Sequence, residues 1–235
     1  MRIERIGAAT LYLADCRDVL PGLSGDSVLT TAVVTDPPYG INYLPYQKNA
    51  KHHSRIYDDN AGFDPYILMQ FKNSIIWGGN NFADKLPKGG WLCWDKRTNE
   101  AADKLLGSPF ELAWCSRPNL FKMARILHGG AINADGHGIA RVHPTQKPVK
   151  LMEWCINFHP APDTILDPYM GSGTTGIACA KTQRQFVGIE IDPGYFDIAC
   201  RRLEAATRQA DLFVPQAPQL ARAVPDLFAS TAAAE

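Results

Sequence analysis

Two short runs carry the residues best able to do chemistry. The first, Asp36-Pro37-Pro38-Tyr39, closes an apolar and β-branched stretch, Thr31–Thr35. Consecutive prolines fix φ at both positions and remove two N–H donors, so the corner is rigid. It offers a carboxylate, a proline carbonyl and an aromatic ring side by side. That set suits an amino group attached to an aromatic ring. Such an NH2 can donate one hydrogen bond to Asp36 and one to the Pro37 carbonyl. Two acceptors on its hydrogens draw the nitrogen toward tetrahedral geometry and restore its nucleophilicity, while Tyr39 can stack on the ring. A lone run of this kind also occurs as an ordinary strand end and turn, so its weight depends on its company.

The second run is Thr164-Ile165-Leu166-Asp167-Pro168-Tyr169-Met170-Gly171-Ser172-Gly173-Thr174-Thr175-Gly176. It reads as a strand, a glycine-rich turn and a helix start. Glycines let the backbone approach a ligand closely, and a helix start presents free N–H groups. Glu190 ends the next strand, at the spacing where an acidic side chain takes the two hydroxyls of a ribose. No Gly-Lys-Ser/Thr follows, so this is not a phosphate-binding loop of the nucleotide-hydrolase kind.

The elements that must hold these residues alternate between strands and helices. Strands are expected at Thr10–Ala14, Thr31–Thr35, Ser74–Gly78, Gly90–Trp94, Glu111–Cys115, Thr164–Leu166 and Phe186–Ile189. Helices are expected at Phe63–Lys72, at Val149–Phe158 after Pro148, from the glycine turn through Thr182, and at Gly194–Arg208. Residues 40–62 and 117–142 read as loops. The pattern predicts an α/β fold, a mainly parallel sheet with helices on both faces. Ligands sit at the carboxyl ends of strands in such sheets, where Asp15, Asp36, Asp167 and Glu190 all fall. The expected division is a domain over 1–208 and a Pro/Ala-rich tail over 209–235.

Composition sets limits. Apolar residues make up 46% of the 235 and charged residues 20%, so a core can form and the chain is not a disordered one. The start of the chain shows no signal-peptide pattern and no run is long enough to span a membrane, which predicts a cytoplasmic protein. Six cysteines are scattered without a CxxC pair, as in a reduced protein, and the histidines show no metal-ligand spacing, so no metal is expected. His52-His53 reads as a phosphate neighbour or plain surface. Net charge is zero, but residues 44–150 hold 15 Lys/Arg against 9 Asp/Glu. A polyanion needs a local positive surface, not a positive total.

Together with His143-Pro144-Thr145-Gln146-Lys147-Pro148, the two runs resemble the amino-methyltransferases of DNA. The order of the motifs, catalytic run before glycine loop, is similar to the β-type, circularly permuted group. Trp94-Asp95-Lys96, Glu111-Leu112-Ala113-Trp114 and Tyr195–Arg202 resemble stretches of small phage-type adenine methylases. The likeness covers roughly residues 8–207. It implies a Rossmann-like methyltransferase fold, S-adenosylmethionine as cofactor with S-adenosylhomocysteine as product, and double-stranded DNA as substrate. It also implies a site-specific modification of restriction-modification type.

By the same resemblance, Asp36, Pro37, Pro38 and Tyr39 are catalytic. Glu190, with Ile191, holds the cofactor ribose, and Asp15, with Cys16, reaches its adenine end. Asp167, Tyr169, Gly171, Ser172, Gly173, Thr174 and Thr175 line the methionine part, and Lys147 with Thr145 meets the methionine carboxylate. Tyr169 stands where the family usually has Phe. The region before the His-Pro-Thr-Gln-Lys-Pro run is short, so 41–62 and 118–142 are the segments available for DNA contact. Lys48, Lys51 and Arg55 are the phosphate partners in the first. Asp36 points to adenine N6. A cytosine-N4 methylase more often has Ser there, and RNA- or protein-directed relatives more often have Asn. A catalytically inactive nucleic-acid-binding subunit is the reading from another class, against which the intact Asp36, Tyr39, Gly171, Gly173 and Glu190 speak. Gln209-Ala210-Asp211-Leu212-Phe213 resembles the pentapeptide by which replication proteins dock on a sliding clamp, with self-docking of Leu212 and Phe213 as the alternative. A homodimer is compatible with all of this.

Overall fold

The computed structural model describes residues 1–22, 31–40, 63–97, 108–127, 146–160 and 164–211. Nine strands among them form one sheet. They are β1 (Arg2–Ile6), β2 (Ala9–Leu13), β3 (Thr31–Thr35), β4 (Asn73–Trp77), β5 (Gly90–Asp95), β6 (Phe110–Cys115), β7 (Phe121–Arg125), β8 (Thr164–Asp167) and β9 (Phe186–Glu190), in the order β1-β2-β9-β8-β3-β4-β6-β5-β7. The run from β2 to β4 is parallel throughout. Antiparallel pairing enters at β1–β2, β4–β6 and β5–β6, while β7 returns parallel to β5.

Alternate side chains of the central strands go to opposite faces, as the two-residue period of a strand requires. Ala32, Val34, Ile75, Trp77 and Ile165 pack with α2 (Val149–Ile156), α3 (Thr174–Lys181) and α4 (Pro193–Asp211). Val33, Ile76, Leu166, Val187 and Ile189 pack on the other face. There they meet α1 (Cys16–Val19) and the aromatic residues Phe63, Phe71 and Phe82. The sheet is therefore covered on both faces, and its central strands read as continuous apolar runs because neither face meets water.

This topology gathers the chemistry on one edge. The carboxyl ends of β2, β9, β8, β3 and β4 lie next to one another. β6 runs the opposite way, with Ala113 opposite Trp77, so its first residues, Phe110 and Glu111, come to the same edge.

Several elements differ from the sequence expectation. The composition of 117–142 predicts loop, yet β7 forms there. Its one buried residue is the small Ala124, while Phe121 and Met123 are exposed, so its hydrophobic alternation is inverted and hides the strand. The mostly exposed edge strand β1 gives no apolar signal either. The expected Phe63–Lys72 helix is a single 3-10 turn, Pro65–Leu68, capped by the Asp64 carboxylate on the Tyr66 N–H. β4 begins at Asn73 and leaves no room for more. α4 runs to Asp211, past the expected Arg208, so the clamp-like pentapeptide begins inside a helix and Leu212 and Phe213 lie outside the described residues. So do Lys48, Lys51, Arg55, Thr145, segment 41–62 and most of 118–142. Among the described residues no helix is long and apolar enough to cross a membrane.

Candidate active site

β3 is buried along its whole length and delivers Asp36 to the sheet edge. β8, beside it, delivers Asp167 and then the glycine turn. A hydrogen bond joins the two motifs: Thr35 Oγ1 donates to Asp167 Oδ1 at 2.7 Å. The other Asp167 oxygen accepts from Thr175 Oγ1 at 2.6 Å, and Oδ1 also accepts the Tyr169 N–H at 3.2 Å. At 3% exposure, this carboxylate faces into the protein and ties the end of β3, next to Asp36, to the glycine turn and to α3. Burial pushes its pKa up to about 6 against the pull of those hydrogen bonds.

Gly171 and Gly173 both adopt the left-handed conformation, with φ of +51° and +81°. In that region a side chain would be strained. Arg202, from α4, braces the turn by donating to the Ser172 carbonyl at 2.6 Å and to its hydroxyl at 2.8 Å. Glu190, at the end of β9, reaches back to the same turn. Its Oε2 accepts the Gly171 N–H and its Oε1 the Asp192 N–H, both at 2.8 Å. Burial raises its pKa to about 7, with the backbone N–H groups of Asp192, Gly171 and Ile191 limiting the rise.

Further along the edge, Asp15 caps α1 by accepting the Arg17 N–H and pairs with the Arg17 guanidinium, which holds its carboxyl below the usual range. Cys16 is buried, and its thiol meets the Tyr169 hydroxyl. That contact gives the Tyr at this position a partner that Phe could not have.

The corner at Asp36 holds a compact charge network. Tyr39 donates its hydroxyl to Asp36 Oδ1. Lys147 Nζ lies 2.6 Å from Asp36 Oδ2, 3.1 Å from Glu111 Oε2 and 3.3 Å from the Tyr39 hydroxyl. Lys96 closes the chain at 3.0 Å from Glu111 Oε1. Burial pushes the Asp36 pKa above the usual carboxylate range, and the Lys147 charge limits the rise. Burial also works against the charged form of Lys147, but Asp36 and Glu111 overrule it and keep the ammonium well above its ordinary pKa. Tyr39, half-buried and facing Asp36, stays a neutral donor. Its ring occupies the space a side chain would take at Gly78, whose φ is +70°.

The DNA methylase family of the N6/N4 type matches residues 49–201, well over half of the chain. The chain belongs to this family. A type II methyltransferase of Citrobacter freundii, M.Cfr9I, is 42% identical over 73 residues, which are 31% of this chain and 24% of that protein. M2.DpnII of Streptococcus pneumoniae is 48% identical over 64 residues, 27% of this chain and again 24% of that protein. The matched stretch thus spans about a quarter of the length of these curated relatives. Among solved structures, the M1.HpyAVI–SAM complex superposes with a TM-score of 0.51 at 22% identity, covering 83% of this chain and 98% of that one. The cytosine-N4-specific PvuII DNA methyltransferase superposes at 0.55 and 15% identity, covering 89% and 95%. The fold of this family member is therefore that of the S-adenosylmethionine-dependent DNA methyltransferases.

Of the residues singled out from sequence, the structure brings Asp36, Tyr39 and Lys147 together at the corner, and Asp167, Gly171–Thr175 and Glu190 together at the turn. The family resemblance directs Lys147 toward the methionine carboxylate of the cofactor; in this structure its ammonium lies between Asp36 and Glu111. Sequence reasoning gives no role to Glu111, Lys96, Thr35, Gly78 or Arg202. Glu111 and Lys96 do fall inside runs that resemble phage-type methylases, but only the antiparallel return of β6 shows that Glu111 reaches the same edge as Asp36. Among the described residues no group of three potential metal ligands occurs.

Proposed function

We propose that the protein transfers a methyl group from S-adenosylmethionine to an exocyclic amino nitrogen of double-stranded DNA, with adenine N6 as the acceptor. The observation that carries this reading is the Thr35–Asp167 hydrogen bond, which locks the amine-binding corner beside the glycine turn on adjacent strands. An acceptor site and a nucleoside site set side by side are what a transfer between two bound reactants needs. Orientation of the two is the main contribution to rate.

The residues at the turn fit the cofactor. Gly171 and Gly173 leave the backbone bare, and the Glu190 carboxylate, which offers about four lone-pair sites, keeps capacity beyond the backbone N–H bonds it accepts for a ribose hydroxyl. Asp15 and Cys16 follow β2, the strand next to β9, and that position supports contact with the adenine end. When bound, the cofactor supplies a methyl group already activated by its positive sulfur.

The chain's own residues do the rest. Asp36 accepts a hydrogen bond from the amine, and the rigid Pro37–Pro38 segment fixes where that carboxylate stands. The bond strengthens as the nitrogen gains positive charge, so it favours the transition state over the ground state. The proton leaves the acidic methylated amine during or after transfer, with Asp36 as the nearest acceptor. Aspartate, not serine or asparagine, at this position supports adenine. Lys48, Lys51 and Arg55 fit contact with the phosphate backbone. Replacing all three with Ala should reduce the salt slope of DNA binding by up to about 0.9 for each phosphate no longer neutralised, and an unchanged slope would place the DNA elsewhere.

The test of the reading is Asp36→Ala. It should abolish methyl transfer to DNA while cofactor affinity, measured by calorimetry, stays within a few-fold. Turnover near wild type would remove Asp36 from the reaction.

A further inference from the structure

We infer that Glu111 is a positioning residue that takes the Lys147 ammonium from Asp36 when the target amine arrives, freeing the catalytic carboxylate. The inference rests on the methyl-transfer role of Asp36 proposed above.

The starting geometry shows why such a partner is needed. An ammonium carries three donors. Lys147 has three acceptors within reach: Asp36 Oδ2 at 2.6 Å, Glu111 Oε2 at 3.1 Å and the Tyr39 hydroxyl oxygen at 3.3 Å. Asp36 is thus engaged on both oxygens, Oδ1 by Tyr39 and Oδ2 by Lys147. A carboxylate already bound to a cation is a weaker acceptor for an incoming NH2. The cation also opposes the positive charge that grows on the amine nitrogen as it attacks. A small shift of Lys147 away from Asp36 removes both penalties.

Glu111 is set up to receive it. It sits on β6, whose pairing with β4 and β5 fixes its backbone. Lys96 holds Oε1 at 3.0 Å, which leaves Oε2 for Lys147. Burial works against the charged carboxyl, but Lys147 and Lys96 overrule it and hold its pKa at about 2, so Glu111 is ionised at neutral pH. The Lys147 side chain is only 7% exposed, so water is no substitute counterion. The rings of Tyr39 and Trp77, each 5.8 Å from the ammonium, confine its movement. Among the described residues, removing Glu111 would leave Asp36 as the only carboxylate on Lys147, and the two would stay locked.

A double-mutant cycle in the full chain tests this. Glu111→Gln, Lys147→Met and the double variant are compared in steady-state transfer to DNA, with melting curves as a fold control. Glu111→Gln should lower kcat by about tenfold or more, with KM for DNA and cofactor changed by less than about threefold. Glu111→Asp should recover part of the loss. The double variant should be no slower than Lys147→Met alone, because Glu111 acts only through that lysine. Losses that add in the double variant, or unchanged kcat in Glu111→Gln, overturn the inference while leaving the function standing. If Glu111→Gln melts far below wild type, the same cycle is run with Glu111→Asp, and an Asp loss of kcat that persists undiminished in the Lys147→Met background overturns the inference equally. A wild-type protein that transfers no methyl group overturns the proposed function and this inference with it.

Discussion

Cofactor binding should be coupled to a proton at Glu190. Burial raises this carboxyl to about 7 in the free protein, so below neutrality the free site is largely protonated. Ribose hydroxyls donate best to the ionised form, and their binding restores part of the hydration that burial took away. The cofactor must then expel a proton to bind, and its affinity should rise with pH up to about 7 and level off above it. For a free-site pKa of about 7 and a bound-site value well below, moving from about pH 8 to about pH 6 weakens binding about tenfold, or about 1.4 kcal/mol. S-adenosylhomocysteine, which lacks the sulfonium charge, should show the same slope, so the effect is not a charge attraction to the cofactor. Isothermal titration of the homocysteine form in two buffers of different ionisation enthalpy reads the proton release directly. In Glu190→Gln the slope should vanish, with affinity at neutral pH weaker. A flat pH profile for wild type, or an equal slope in Glu190→Gln, would refute the ribose role and the reasoning behind it.

Other outcomes follow from the same geometry. Glu190→Ala should weaken cofactor binding by roughly 1.5–3 kcal/mol, the scale of hydrogen bonds to a charged group, and unchanged calorimetric affinity would remove Glu190 from the cofactor site. Gly78→Ala places a Cβ 2.0 Å from the Tyr39 ring at a φ of +70°, so it should displace Tyr39 and cut turnover by about tenfold with cofactor affinity unchanged. Wild-type kinetics in that variant would show that the Tyr39 placement is idle. Tyr169→Phe breaks only the hydroxyl's contact with the Cys16 thiol and should retain activity at a cost of about 1 kcal/mol in urea unfolding; loss of transfer would give that hydroxyl a role in the reaction. In the cofactor-free protein, Glu190 and Asp167 have raised pKa values, about 7 and about 6. The stability tied to their protonated forms is complete below about pH 4 and is lost as pH rises through those values. Glu190→Gln should flatten that decline in a pH series of melting temperatures.

The alternation of β-branched strands and glycine turns is legible in the sequence because the central strands are buried on both faces and read as plain apolar runs, Thr31–Thr35 most clearly. The corner at Asp36 and the turn at Gly171 are legible because backbone demands there leave little choice of residue. β1 and β7 are not legible. Edge strands expose most of their side chains, and in β7 the buried position is an alanine beside exposed Phe and Met. The identity of the Lys147 partner is also hidden. The family resemblance implies a cofactor carboxylate for this lysine, and only the sheet order brings Glu111, from an antiparallel strand, to face it. Asp167 is partly legible: its strand-end position suggests a place at the ligand edge, while its hydrogen bonds to Thr35, Thr175 and the Tyr169 N–H depend on the pairing of β3 with β8.

The most direct test of methyl transfer to adenine incubates the purified protein with methyl-labelled S-adenosylmethionine and unmethylated double-stranded DNA, then digests the DNA to nucleosides and separates them. The expected result is label in N6-methyladenine with the wild-type protein and none with Asp36→Ala. Label in N4-methylcytosine would contradict the choice of acceptor, and no label in any nucleoside would contradict the transfer itself.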